Sequence, residues 1–171
     1  QPVVTPLRVK LYDLDGGHGI EAEQLIVLDR AEGAGDCGAY RAMPVLSFNR
    51  EFSAPIIAQV GRASGDLAWL AQHDDDPFAR FEAMQELMIN VLITAIGSGT
   101  MADEAQQSVI DAVAACLSDT RLDAALVAEI VRLPTEAYLG EQLPIIDPEA
   151  IHTHRRTLER AIGTALGPQW N

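Results

Sequence analysis

The stretch His73–Ala83 reads HDDDPFARFEA and contains a strong signal for the start of a helix. Asp76 followed by Pro77 is a typical helix start, because the aspartate can cap the first turn and proline fits the first helical position. From there apolar residues recur at helical spacing as far as Ala95, and Gly97 is a natural stop. We therefore predict a long amphipathic helix that begins at Pro77.

The chain around and beyond this helix also has helical patterns. Five further helices are predicted: from Ser64 to about His73, after a capping box of Thr100 and Asp103, from about Leu122 to Leu133, from Thr135 to about Gln142, and from the Asp147-Pro148 pair to about Leu166. Short loops between helices favour antiparallel neighbours. The pattern therefore indicates a helical bundle or the start of a helical-repeat superhelix.

The amino-terminal side has strand patterns instead. In Leu7–Tyr12 apolar and polar residues alternate, as in a strand with one buried face. Gln24–Leu28, Tyr40–Phe48 and Ile56–Val60 are further strand candidates. Four strands in about sixty residues predict a small antiparallel sheet or sandwich. Four strands are few for a closed sandwich, so we expect a β-sandwich that is incomplete at its amino terminus.

The predicted fold class is therefore α+β in two parts, a β-sandwich domain over residues 1–63 and a helical domain over residues 64–171. The 171 residues carry 12 basic and 25 acidic side chains, a formal net charge of −13. The first part has six basic and eight acidic side chains, and the second has six and seventeen, so their net charges are −2 and −11. A chain this acidic is unsuited to binding nucleic acid or an anionic membrane surface.

Residues that could bind a metal or perform catalysis are sparse. The chain has four histidines: His18, His73, His152 and His154. The last two are two positions apart, so on a helix they point to nearly opposite sides and cannot share one ion. No His-Glu-x-x-His or Cys-x-x-Cys pattern is present. The two cysteines, Cys37 and Cys116, are best interpreted as reduced thiols of a cytoplasmic protein.

The acidic run Asp74–Asp76 allows two interpretations. It could bind a divalent cation. The favoured interpretation is structural, because Asp76 can cap the helix and carboxylates are stabilised near a helix amino terminus. The apolar stripe Phe78–Met88 and Trp69 are interpreted as core rather than as a ligand pocket.

Two glycine-rich segments are interpreted as loops. Gly33–Gly38 matches G-x-G-x-x-G as a string, but the residues that follow have no helical period, so a hairpin loop is favoured over a dinucleotide site. Gly97–Thr100 precedes a predicted helix and could accept an anion there. A helix–helix link is the favoured interpretation.

Four segments together resemble one family, the bacterial aminopeptidase N enzymes. They are Pro44–Ile56 (PVLSFNREFSAPI), His73–Ala83 (HDDDPFARFEA), Leu133–Leu139 (LPTEAYL) and Ile146–His152 (IDPEAIH). They occur in the family's order, and the resemblance extends from Leu7 to about Leu166. The chain departs from the family at Ala31–Ala42, which is longer and richer in glycine, and at Gly167–Asn171.

The resemblance implies a zinc metallopeptidase of the gluzincin class that removes N-terminal amino acids from peptides. In that family an Ig-like sandwich follows the catalytic domain, and an ARM-like superhelix follows the sandwich and encloses the active site. The family's zinc motif, its third zinc ligand and its Gly-Ala-Met-Glu-Asn segment all precede the region matched here. No catalytic, substrate-binding or metal-binding residue is therefore assigned to this chain.

The implied function is that of a non-catalytic internal segment, which agrees with a sequence that starts at Gln1. Its expected partners are the catalytic domain of the same parent chain and, for the whole enzyme, peptide substrates. Two alternatives stay open: an independent acidic module that binds proteins or peptides, and a small hydrolase with a dispersed site. A truncated superhelix would expose an apolar face, so we also expect a homodimer through Ile151–Leu166 or through the sheet edge near Leu7–Leu11.

Overall fold

The computed structural model describes residues 4–13, 22–29, 44–56 and 60–167. Within these ranges it has three strands: β1 (Thr5–Tyr12), β2 (Gln24–Leu28) and β3 (Val45–Phe48). It also has six α-helices in the described ranges: α1 (Ser64–His73), α2 (Pro77–Ser98), α3 (Asp103–Ser118), α4 (Ala124–Ile130), α5 (Glu136–Glu141) and α6 (Pro148–Leu166). The first part of the predicted strand Tyr40–Phe48 and most of Ile56–Val60 lie outside the described residues.

The sheet is antiparallel with the order β2-β1-β3. Leu7 pairs with Ile26 of β2, and Leu11 pairs with Leu46 of β3. β1 is the central strand, but Thr5–Val9 pair with β2 and Val9–Tyr12 pair with β3, so each side of β1 is paired over only part of its length. The expected contact through an edge near Leu7–Leu11 stays a prediction. One face of the sheet forms a small apolar cluster around Leu7 and Val9.

The opposite face of the sheet joins the core of the helices. Tyr12 and Val45 belong to the large apolar cluster that otherwise consists of helical residues. The middle of this cluster is α2, whose Met84, Leu87 and Met88 are fully buried. The inner part of the Phe78–Met88 stripe is thus core, as predicted from its spacing, whereas Phe78 and Phe81 are only half-buried.

Three helices begin where local sequence predicts them to begin. The side chain of Asp76 accepts a hydrogen bond from Ala79 N at 2.7 Å and caps α2. Thr135 caps α5, and Asp147 caps α6 through the amides of its first turn. In each case the cap satisfies amides that have no partner inside the helix.

Three local predictions are wrong in detail. The long helix ends at Ser98 rather than at Gly97, and Gly99, whose φ of +78° suits glycine, is its C-cap. Thr100 forms no capping box with Asp103, because Ala102 occupies the cap position and Asp103 is already helical. The predicted helix Leu122–Leu133 is shorter, since Asp123 caps it and it spans only Ala124–Ile130.

The apolar face of α6 is already covered within the chain. Ile151, Leu158, Ile162 and Leu166 are buried, and α6 packs against α2, α3 and α5. The exposed face expected at Ile151–Leu166 is therefore not found, and the homodimer stays a prediction. None of the described helices is both long enough and apolar enough to cross a membrane.

Candidate functional site

The turn that follows β3 has an unusual backbone. Asn49, Glu51 and Phe52 have φ values of +52°, +54° and +51°, in the left-handed region that non-glycine residues rarely adopt. Each such residue costs about 1 kcal/mol or more. A turn of this kind persists only where its surroundings hold it.

The side chain of Asn49 holds the turn from inside. Its Nδ2 donates to Ala54 O at 3.0 Å, and its Oδ1 accepts from Ala54 N at 2.9 Å. Ser53 Oγ accepts from Arg8 N of β1 at 2.9 Å, which fixes the turn to the sheet. Glu51 N donates to both carboxylate oxygens of Asp76 at 3.2 Å, which fixes it to the start of α2.

This turn directs Arg50 into the contact between sheet and helices, where the residue is only 5% exposed. Its Nη1 donates to Asp74 Oδ1 at 2.6 Å, and its Nη2 donates to Asp75 Oδ1 at 2.5 Å. On the side of the sheet, Nη1 also donates to Ser47 Oγ at 3.0 Å and Nε donates to Glu23 Oε2 at 2.7 Å. One guanidinium therefore joins the two parts of the fold.

Tyr12 and Lys10 of β1 complete the contact. The hydroxyl of Tyr12 donates to Asp75 Oδ1 at 2.6 Å and lies 3.0 Å from Asp74 Oδ1. Its ring packs on Trp69 of α1, with 5.0 Å between centroids. Lys10 Nζ lies 2.5 Å from Asp75 Oδ2. We name this cluster the Arg50 junction and define it by its members: Lys10, Tyr12, Glu23, Ser47, Arg50, Asp74 and Asp75.

The electrostatics of the junction favour the ionised forms of Asp75 and Glu23. Burial alone would raise the pKa of Asp75, but hydrogen bonds from Lys10, Tyr12 and Arg50 outweigh it and hold the pKa well below its usual range. The hydrogen bond from Arg50 also lowers the pKa of Glu23. Burial and the bond to Asp75 raise the pKa of Tyr12, so this phenol stays protonated.

A second buried arginine organises the helices. Arg80 is 2% exposed, and its Nη1 donates to Asp119 Oδ2 at 2.7 Å while its Nε donates to Ala71 O at 3.2 Å. Hydrogen bonds from Arg121 and Arg80 hold the pKa of Asp119 well below its usual range. Cys116 lies beside Arg80 in the core, and burial raises the pKa of its thiol. Its place in the core is that of a small packing residue.

A groove of about 360 Å³ lies among α2, α4 and α5. Its apolar lining comes from Phe81, Ile89, Leu133 and Pro134. Charged side chains also line it, among them Glu82 of α2. The groove is separate from the Arg50 junction, because the two share no residue.

The structure assigns the predicted acidic run to the junction. Asp76 is the helix cap, as predicted. Asp74 and Asp75 form ion pairs with Arg50, in addition to any interaction with the helix dipole. Sequence analysis missed Arg50. The sequence did contain one signal for it. Only one of the three consecutive aspartates is needed to cap the helix, and the other two, if buried, need a cationic partner.

The other candidate residues are not brought together into a site. His152 Nδ1 lies 2.8 Å from Glu136 Oε1 on the surface. An anion was predicted as a possible ligand of Gly97–Thr100, at the start of the next helix. The first turn of α3 carries the carboxylates of Asp103 and Glu104, which would repel an anion there. Among the residues in the four described ranges, no three His, Cys, Asp or Glu side chains are grouped so that they could hold a metal ion. Three predictions fall outside these ranges: His18, Cys37 and the loop Gly33–Gly38.

Comparison with known proteins covers both parts of the chain. Residues 1–61 match a domain of unknown function, DUF3458, described as an Ig-like fold. The chain is 30% identical to aminopeptidase N of Escherichia coli over 99% of its own length and 20% of that protein. It is 29% identical to aminopeptidase N of Caulobacter vibrioides over 88% of its length and 17% of that protein.

A solved structure agrees with these relatives. The chain matches the crystal structure of Legionella pneumophila aminopeptidase A in complex with aspartic acid with a TM-score of 0.80 and 26% identity. The match covers 97% of this chain and 19% of that one. The chain thus spans about a fifth of the length of the proteins it resembles.

The chain thus combines an Ig-like sheet with ARM-like helices, joined through the Arg50 junction, and it is similar to aminopeptidases through both of these parts. Residues 64–171 match the domain of unknown function DUF3458_C, described as ARM repeats, and the chain belongs to this family. The resemblance to aminopeptidase N and the predicted fold class are thereby confirmed.

Proposed function

We propose that this chain is a non-catalytic part of a zinc-dependent aminopeptidase N, an enzyme that removes N-terminal amino acids from peptides. In the whole enzyme its Ig-like part supports the catalytic domain, and its helices begin the wall that encloses the active site. The observation that carries this proposal is the similarity to aminopeptidase N relatives over 88% to 99% of the chain, through both of its parts.

The described residues do not fit the zinc of this proposed enzyme. A zinc site usually needs three or four His, Cys, Asp or Glu ligands, and no such group exists in the described part of the chain. In the proposed enzyme zinc is therefore bound by the catalytic domain, and no catalytic or substrate-binding residue is assigned to this chain. The catalytic domain and the peptide substrates are its proposed partners, without nucleic acid or membrane.

The Arg50 junction supports the structural role. If the helices form a wall around an active site, they have to keep a fixed orientation relative to the Ig-like part to which they are attached. A change of angle at this junction would separate Arg50 from Asp74 and leave buried charges without partners, which costs several kcal/mol. The junction is therefore suited to keep the sheet and the first helices in one arrangement.

Two further properties are part of the proposal. A cytoplasmic location agrees with a chain that has only two cysteines, of which Cys116 is a buried free thiol. A homodimer is also proposed, although α6 cannot supply the apolar face because its apolar residues are buried.

The test begins with an antibody raised against the 171-residue chain. In an extract of the source cells, we expect one band several times larger than 18.5 kDa. Protein captured by the antibody should hydrolyse an alanine 4-nitroanilide, lose this activity with a zinc chelator and regain it with zinc. The purified 171-residue chain is the matched control, and it should release no nitroaniline.

Two results would overturn the proposal. A single band at the size of the chain itself would mean that the cell uses it as a separate protein, and the interaction module would become the better hypothesis. Zinc-dependent turnover that co-purifies with the 171-residue chain would mean that the chain is itself catalytic.

A further inference from the structure

The groove among α2, α4 and α5 has the size of a ligand site. Its volume of about 360 Å³ lies at the lower end of the usual range for small-molecule sites, roughly 300 to 1,000 Å³. Phe81, Ile89, Leu133 and Pro134 give it an apolar lining. A space of this kind suits one or two side chains of a peptide rather than a large cofactor.

Hydrogen bonds fix the backbone around the groove before any ligand binds. Gln85 Nε2 donates to Ile130 O at 3.3 Å and to Arg132 O at 2.9 Å, which connects the middle of α2 to the end of α4. Arg155 Nε of α6 donates to Pro134 O at 2.8 Å. A preformed site loses less entropy on binding than a site that must first be ordered.

The charge of the groove selects a cation. Glu129 and Arg132 pair with each other at 2.9 Å, so the positive charge of Arg132 is offset. Glu82 forms no hydrogen bond or ion pair with any residue that the structure describes, and it leaves the lining with a net charge of −1. Burial raises the pKa of Glu82; the nearby charge of Arg62 opposes this effect and that of Glu86 adds to it. Since Arg62 is itself paired with Glu86, a bound cation would stabilise the Glu82 carboxylate.

We propose that this groove binds a short peptide segment in which a lysine or arginine stands next to an apolar residue. The cation lies at Glu82, and the apolar side chain packs on Phe81, Ile89 and Pro134. Tyr138 also lines the groove, and its hydroxyl makes no hydrogen bond within the described ranges, so it is available to donate to a peptide carbonyl. This inference does not rest on the proposed aminopeptidase, because it concerns only the groove in this chain.

A second concavity, between α2 and the start of α3, offers no such selection. Its volume is about 230 Å³, and its lining consists of small and neutral side chains, including Ser64, Thr94 and Ala105. Without a charged group or a strongly apolar lining, it has nothing to distinguish one ligand from another.

The test is an NMR titration of the ¹⁵N-labelled 171-residue chain with acetyl-Ala-Lys-Leu-Ala-amide. The matched probe replaces the lysine by norleucine, which keeps most of the aliphatic stem and removes the ammonium. We expect the lysine peptide to shift the amides around Glu82, Gln85 and Tyr138. We expect E82Q to weaken binding about fivefold, the effect of an ion pair worth about 1 kcal/mol.

The control variant is E104Q, which removes the same charge from α3, outside the groove. It should bind the lysine peptide as the parent chain does. Equal binding of the norleucine peptide would overturn the proposal, because the groove would then be a general apolar site. Shifts that miss the groove would also overturn it. Groove shifts that appear with protein concentration alone would identify a second copy of the chain as the occupant.

Discussion

Arg50 and Asp74 form a buried ion pair, with 2.6 Å between Arg50 Nη1 and Asp74 Oδ1, at the point where the sheet meets the helices. Asp74 has no exposed surface, and its Oδ2 has no hydrogen-bond partner among the described residues. The pair therefore depends on Oδ1, which also accepts from Asp76 N at 2.9 Å.

Arg50→Met should lower the free energy of unfolding by about 3 to 5 kcal/mol, because it leaves the carboxylate of Asp74 buried without its cation. Urea unfolding followed by circular dichroism measures the change. The double variant Arg50→Met with Asp74→Leu should be more stable than Arg50→Met alone, since it removes the stranded charge. This second measurement also decides the matter if the single variant does not fold.

The matched control for Arg50 is Arg121→Met. Arg121 also pairs with an aspartate, Asp119, but its side chain is 76% exposed. Exposed pairs contribute about 0 to 1 kcal/mol, so this variant should unfold nearly as the parent chain does. Equal losses for the two variants would contradict the assigned role of Arg50.

Acid should destabilise the chain through its paired carboxylates. The pKa values of Asp75, Asp119 and Glu23 are lower in the folded chain than their usual values. These groups therefore contribute stability above the pKa of the unfolded chain, near pH 4, and the contribution disappears as the pH falls further. Urea midpoints measured between pH 7 and pH 2 should decline most steeply below about pH 5.

The variant Asp75→Asn tests which groups carry this acid dependence. It should make the decline shallower, because one of the carboxylates with a lowered pKa is gone. Glu104→Asn serves as the control, since Glu104 lies in the first turn of α3 and has no part in the junction. If the urea midpoints of both variants fall with pH as steeply as that of the parent chain, Asp75 does not contribute to the acid dependence.

Asp76→Ala should lower the free energy of unfolding by more than the loss of an ordinary helix cap does. Asp76 caps α2, and its carboxylate also accepts from Glu51 N of the left-handed turn. Removing a cap alone costs about 1 kcal/mol. The matched control is Asp147→Ala, which removes the exposed cap of α6. Equal losses of unfolding free energy would show that the bond to the turn contributes nothing.

Glu51→Gly should leave stability unchanged or raise it by up to about 1 kcal/mol, because glycine adopts a φ of +54° without strain. The variant gives up one exposed ion pair with Arg8, which is worth little. Glu159→Gly is the control, since Glu159 also has an exposed arginine partner but lies inside α6. That variant should lose about 1 kcal/mol. A comparable loss at Glu51 would argue against strain in the turn.

The helices could be predicted from sequence because their signals are local. Asp76 and Asp147 each stand directly before a proline, and the cap bonds join residues at most three positions apart. The strand Gln24–Leu28 was predicted with its observed bounds, and β1 with one end shifted by two residues. Helix ends were less reliable, since Gly97 and Gly99 are both plausible stops and only the backbone selects between them.

The Arg50 junction could not be predicted because its contacts are distant in the chain. Arg50 and Asp74 are 24 positions apart, and Tyr12 and Asp75 are 63 positions apart. The turn that orients Arg50 was equally difficult to predict, since Asn49 is a residue type that tolerates the left-handed region but Glu51 and Phe52 are not. The same holds for the groove, where Gln85 binds carbonyl groups 45 and 47 positions away.

The position of the junction on the helices has a mechanical consequence. Asp74, Asp75 and Asp76 are consecutive and immediately precede α2, so the contacts of the junction lie at the amino-terminal end of this helix. With about 1.5 Å per residue, the 22 residues of α2 form a lever roughly 30 Å long. A rotation of about 5° at the fulcrum would swing the far end of the helix by roughly 3 Å, close to the width of an atom. Small changes in the position of these carboxylates would thus cause larger displacements of the residues further along the helices.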